Sequence, residues 1–110
     1  MSVMTLEDDY VSLKTILLRI RQMQDEGQTG LLELESIQGH EAYLGFKNGK
    51  IVSARYRRIK RGARAIDEIR KISSAHCSFR TQDTVPADPK ALNLDEALEG
   101  LLALTKSTHF

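Results

Sequence analysis

Residues 31–57, LLELESIQGHEAYLGFKNGKIVSARYR, carry the period that decides the fold. Leu32 and Leu34 alternate with Glu33 and Glu35, and Ala42, Leu44 and Phe46 alternate with Tyr43 and Gly45. A period near two is that of a strand with one buried face. Two turn signals cut the run. Gln38-Gly39 separates LLELESI from EAYLGFK, and Asn48-Gly49 separates EAYLGFK from KIVSARYR. Asn-Gly is a strong hairpin signal because both turn residues must accept positive φ. The stretch predicts three antiparallel strands in a meander, with Val52, Ala54 and Tyr56 on one face of the third and Arg55 and Arg57 on the other.

On both sides of the meander the period becomes helical. Leu6, Tyr10, Leu13, Ile16, Leu17, Ile20 and Met23 recur at spacings of three and four, which predicts an amphipathic N-terminal helix. Thr5 and Asp8 have capping-box spacing, Asp8 and Asp9 suit the first-turn dipole, and Gly27 and Gly30 mark the exit. GARAIDEIRKI places Ala65, Ile66, Ile69 and Ile72 on one stripe, which predicts a middle helix. HCSFRT alternates again, with Cys77 and Phe79 sharing a face, so it reads as a short fourth strand. QDTVPADPKALN is a polar connector. LDEALEGLLALTK then predicts a C-terminal helix, with Leu94, Ala97, Leu98, Leu101 and Leu102 on its stripe and Asn93 as cap. Gly100 weakens that helix by roughly 1 kcal/mol relative to Ala, so it depends on packing, in the core as the favoured reading or against a partner or second copy as the alternative.

The expected architecture is a single α+β domain over residues 1–110, in the order α-β-β-β-α-β-α. An antiparallel sheet of three to four strands (a β-meander plus one strand) is packed by N-terminal, middle and C-terminal helices. With three Phe, three Tyr and no Trp, aliphatic residues must build the core.

Net charge is +1, but it is unevenly spread. Residues 1–45 carry eight acids and three bases, residues 46–80 two acids and eleven bases, and residues 81–110 five acids and two bases. Six of the bases, Arg55, Arg57, Arg58, Lys60, Arg61 and Arg64, fall within ten residues. This cluster is the candidate partner-binding site. Three readings compete for it. Arginines are enriched at protein interfaces. The same residues could neutralise phosphates of nucleic acid or a nucleotide, with Tyr56 stacking on a base. A solvated strand face followed by a helix start would also give such a run with no ligand. The nucleic-acid reading lacks a second basic segment and any helix-turn-helix or RNA-binding signature.

Other chemistries find little footing. Neither GxxxxGK[ST] nor GxGxxG occurs, and Gly49 and Gly62 are explained by a turn and a helix start. His40, His76 and His109 are scattered, without metal-ligand spacing. His76 and Cys77 are adjacent on a predicted strand and so point to opposite faces; Cys77 at an inward position reads as a small core residue. As the single cysteine, it also excludes an internal disulfide. Glu33 and Glu35 share a strand face about 7 Å apart, and cross-strand pairing with Lys47 or the third-strand arginines accounts for them. No motif implies a cofactor or catalytic set. The expectation is a non-enzymatic protein. With no signal-peptide pattern and no long apolar run, a cytoplasmic location without membrane insertion is expected.

The motif order resembles one known family. TGLLEL, AYLGFKNGKIVSA, GARAIDEIRKI and CSFRT follow a leading helix as in the PATAN domain and its relatives among bacterial domains of unknown function. Gly30, Leu32, Phe46, Gly49, Ile51, Ala54, Gly62, Ala65 and Phe79 occupy the places of its pattern, and the resemblance spans roughly residues 6–105. The chain departs from it at SSAHCSF and in its dense arginine cluster. The resemblance implies a bacterial signalling adaptor acting by protein–protein contact on a response regulator or a pilus or motility component. A homodimer is compatible with it.

Overall fold

The computed structural model describes residues 10–88 and 93–105. The chain is α+β: β1 (Val11–Ser12), α1 (Leu13–Asp25), β2 (Gly30–Ser36), β3 (Glu41–Lys47), β4 (Lys50–Tyr56), β5 (Lys60–Arg61), α2 (Ala63–Ile69), β6 (Ser74–Thr81), α3 (Leu94–Leu102) and a closing 3₁₀ turn (Ala103–Thr105). The strands form one open antiparallel sheet in the order β1-β6-β2-β3-β4-β5. The three meander strands stand where the periodicity puts them. Among the described residues six strands replace the expected three to four, because two-residue strands flank the sheet at either side, too short to leave a periodic signal.

Leu32 and Leu34 of β2 and Ala42, Leu44 and Phe46 of β3 face inward. There they meet Ile16, Leu17, Ile20 and Met23 of α1, Ala65, Ile66 and Ile69 of α2, and Leu94, Leu98, Leu101 and Leu102 of α3 in one core. All three helices therefore cover one sheet face, and the leucine stripe of α3 is core. Asn48 and Gly49 both have positive φ, 52° and 82°, and close the β3–β4 hairpin in two residues.

Three local expectations are corrected. First, α1 starts at Leu13, with Ser12 as its cap: the Thr15 N–H donates to Ser12 Oγ at 3.3 Å. Tyr10 precedes the helix and stacks on His76, ring centroids 4.0 Å apart; Thr5, Leu6, Asp8 and Asp9 lie outside the described residues. Second, Asn93 sits before α3 in the left-handed conformation and makes no side-chain capping bond. Third, a β-bulge interrupts β4. Gly45 pairs with Ser53 and Phe46 with Ile51, leaving Val52 as the extra residue. Ile51, not Val52, therefore shares the core with Ala54 and Tyr56.

The opposite, outer face is crossed by the connector. After β6, the Gln82 N–H donates to the Thr29 carbonyl, and six residues on the Asp88 N–H donates to the Val52 carbonyl on β4. Val85 is buried between these anchors. It lies over Gly45, where a Cβ would come within 2.9 Å of Val85 Cγ1 and would also strike Ser53. A bare glycine on β3 thus lets the strap lie flat on the sheet.

Candidate anion-binding groove

Between this strap and the β4–β5 hairpin runs a groove of about 650 Å³ on the outer face. Arg55, Arg57, Arg58 and Arg61 line it on one side; Val85, Pro86, Ala87 and Asp88 line it on the other, with Leu31, Glu41, Tyr43, Ser53 and Ala54. Four of the six predicted residues are thus brought together.

Strand alternation alone would send Arg58 away from Arg55 and Arg57. The turn prevents this. β4 and β5 pair Tyr56 with Lys60 and Arg55 with Arg61, so Arg57–Ile59 form a three-residue loop. Within it Arg57 and Arg58 have φ of 64° and 139°. The Arg57 N–H donates to the Glu41 carbonyl at 2.7 Å, and the N–H groups of Arg58 and Ile59 both donate to the Tyr56 carbonyl. Successive positive φ values in side-chain-bearing residues are uncommon and cost of order 1–3 kcal/mol each. Here they break the alternation and keep Arg58 beside its neighbours. Gly62, with φ 62° and ψ −138°, ends β5 and starts α2 within one residue, in a conformation reserved for glycine.

Among the described residues, none of the four groove arginines has a salt bridge or a side-chain hydrogen bond. Lys60 and Arg64 behave differently. Lys60 Nζ is 2.5 Å from Glu68 Oε2 on α2, where Lys71 also reaches at 3.4 Å. Its hydrogen bond, ahead of its charge, holds the Glu68 carboxyl below the usual glutamate range. Arg64 is exposed on α2 and does not line the groove. Tyr56 is not a stacking platform: it packs against the core, and its hydroxyl is 2.8 Å from His40 Nδ1.

The groove's aromatic is Tyr43. Burial, then the charges of Glu41 and Glu33, raise its phenol pKa against an opposing pull from Arg58. It is a proton donor at neutral pH, and its hydroxyl donates to Glu41 Oε1 at 3.4 Å. Beyond Tyr43 the outer face turns acidic, with Glu33, Glu35 and Glu41 bordering a smaller hollow of about 160 Å³. Glu33 pairs across strands, but with Arg80 of β6 rather than with Lys47 or the β4 arginines. Arg80 is two residues from Ser78, the residue opposite Glu33, so the contact is a diagonal one.

Sequence reasoning missed Leu31, Tyr43, Ser53 and the strap. Leu31 had a signal, being an apolar residue in phase with Glu33 and Glu35 on the face away from the core. Val85-Pro86 had a weaker one as the apolar pair in a polar connector. His76 and Cys77 face opposite sides: His76 borders the acidic hollow, and Cys77 lies under α1 with Arg19, Met23 and Phe79. Burial raises the Cys77 thiol pKa, which makes it a poor nucleophile. Among the described residues no cluster of His, Cys, Asp and Glu has the makings of a metal site, and no helix is long and apolar enough to cross a membrane. His109 lies outside the described residues. No protein-family model, curated protein or solved structure gives a significant match to the chain.

Proposed function

We propose that this chain is a non-enzymatic binding module, a PATAN-like adaptor of bacterial signalling working in the cytoplasm. Its arginine groove receives an acidic segment of a protein partner such as a response regulator or a pilus or motility component. The observation that carries the reading is the set of four guanidinium groups converging on one groove without a carboxylate partner among the described residues. Unpaired like charges repel, and an anion from outside removes that repulsion. Arginine does this with directional, bidentate hydrogen bonds. The apolar surface of Leu31, Val85 and Pro86 beside the guanidinium groups suits a peptide's side chains.

A protein segment fits better than nucleic acid because of what lies alongside. A phosphate backbone continuing across the sheet meets Glu41, Glu35 and Glu33, whereas a short acidic segment ends within the basic half. Fluorescence anisotropy tests this with a labelled hexaglutamate peptide and single- and double-stranded DNA probes at low salt. The peptide is expected to bind the wild type and to lose binding to the Arg57→Glu/Arg58→Glu/Arg61→Glu variant. Binding of DNA without the peptide, or equal binding by the triple variant, overturns the reading.

A further inference from the structure

We infer that the groove is built for a phosphomonoester, carried on a phosphorylated side chain of the bound segment. The inference rests on the reading of the groove as an anion site and narrows its ligand.

Three observations point beyond a carboxylate. Arg55 and Arg61 are paired residue for residue across β4 and β5, and both line the groove. Directly opposed residues on one sheet face have Cβ atoms about 4.5–5.5 Å apart, so both guanidinium groups reach a single anion placed between them. A carboxylate carries one negative charge, and a second guanidinium must share the two oxygens that a bidentate arginine already holds. A phosphomonoester has three terminal oxygens and about −1.5 to −2 charges at neutral pH, so it serves two forks at once. The second observation is charge balance. Four arginines and two carboxylates, Glu41 and Asp88, line the groove. The excess of two positive charges matches a dianion. The third is the loop. The left-handed conformations of Arg57 and Arg58 add side chains to the same spot as the Arg55–Arg61 pair, where extended strands would have spread them over two faces.

The groove's volume of about 650 Å³ admits a phosphorylated residue with its immediate neighbours. An apolar residue on either side of the phosphorylated one would lie on Leu31 and Val85-Pro86.

The test is a ¹⁵N–¹H titration of the full chain at constant ionic strength with five probes. They are an acetylated Ala-Leu-phosphoSer-Leu-Ala peptide, its Glu counterpart, hexaglutamate, inorganic phosphate and AMP. The phosphopeptide is expected to shift the amides of residues 53–61 and to bind at least tenfold more tightly than the Glu peptide. Arg58→Gln and Arg61→Gln, checked for a native dispersed spectrum, should each weaken it at least tenfold; Lys60→Gln should not. Equal affinity for the phospho and Glu peptides overturns the phosphomonoester inference and leaves the acidic-segment reading standing. Tighter binding of phosphate or AMP than of the phosphopeptide overturns the assignment to a phosphorylated side chain. Failure of every probe, hexaglutamate included, overturns both.

Discussion

Arg55 and Arg61 stand directly opposite each other across the β4–β5 hairpin, two like charges with no carboxylate partner among the described residues. Like charges in that position destabilise a sheet pair by roughly 0.2–1 kcal/mol. Arg61→Gln should therefore raise stability by about that amount in low salt. The gain should fade in 1 M salt, where the Debye length is about 3 Å. Urea unfolding at the two ionic strengths checks this; a loss of stability in low salt would mean that Arg61 holds a structural partner.

The loop next to this pair stores conformational strain. Arg57 and Arg58 have φ of 64° and 139°, where glycine carries no Cβ penalty. Arg57→Gly and Arg58→Gly should leave the unfolding midpoint unchanged or raise it, since relief of about 1–3 kcal/mol of strain outweighs the extra entropy of glycine, about 0.5–1 kcal/mol. Each should also weaken binding of hexaglutamate. Higher stability with lower affinity is the signature of strain kept for a ligand. A variant both less stable and equally able to bind would contradict it.

Much of the fold was legible because it rests on short-range rules. Alternation around Leu32, Leu44 and Phe46, the Asn48-Gly49 turn and the leucine stripe of α3 each depend on neighbours within a few residues. What escaped depends on how elements meet, which periodicity does not record. Whether β4 carries a bulge is decided by how Phe46 meets Ile51 across the hairpin. The start of α1 is fixed at Ser12 after β1 pairs with β6, a partner about sixty residues away. The site divides in the same way. The arginines stood out as a charge run. That Lys60 turns to Glu68 while Arg58 turns to the groove follows from an α2 contact and a left-handed loop, neither of which composition records. The strap at Val85 was hidden in a polar connector.

The last helix offers a paired test. Leu101 is fully buried in the shared core, and its truncation to Ala should cost about 2–5 kcal/mol. At the preceding position, a Cβ on Gly100 would meet nothing closer than Arg70 Nη2 at 3.7 Å, an ordinary contact. Gly100→Ala should therefore stabilise by roughly 1 kcal/mol through helix propensity alone. Thermal or urea unfolding reads both. A neutral Leu101→Ala would mean that α3 is not part of the cooperative core.

The Lys60–Glu68 pair predicts a pH dependence that separates it from the groove. The Lys60 hydrogen bond holds the Glu68 carboxyl below its ordinary value of 4.5. A carboxylate with a depressed folded-state pKa stabilises the protein above the unfolded-state value, and that contribution is lost as pH falls through the folded value. Lys60→Met removes the main cause of the depression and leaves the weaker contact from Lys71. The wild type should therefore unfold at a higher urea concentration than Lys60→Met at pH 7. The gap should stay constant down to about pH 5 and narrow as Glu68 protonates at lower pH. Arg58→Met, which has no such carboxylate partner among the described residues, should show no narrowing over that window. If the Lys60→Met gap is independent of pH down to 3, Lys60 stabilises through packing of its stem rather than through Glu68. If that variant also loses anion affinity as Arg58→Met does, Lys60 belongs to the groove after all.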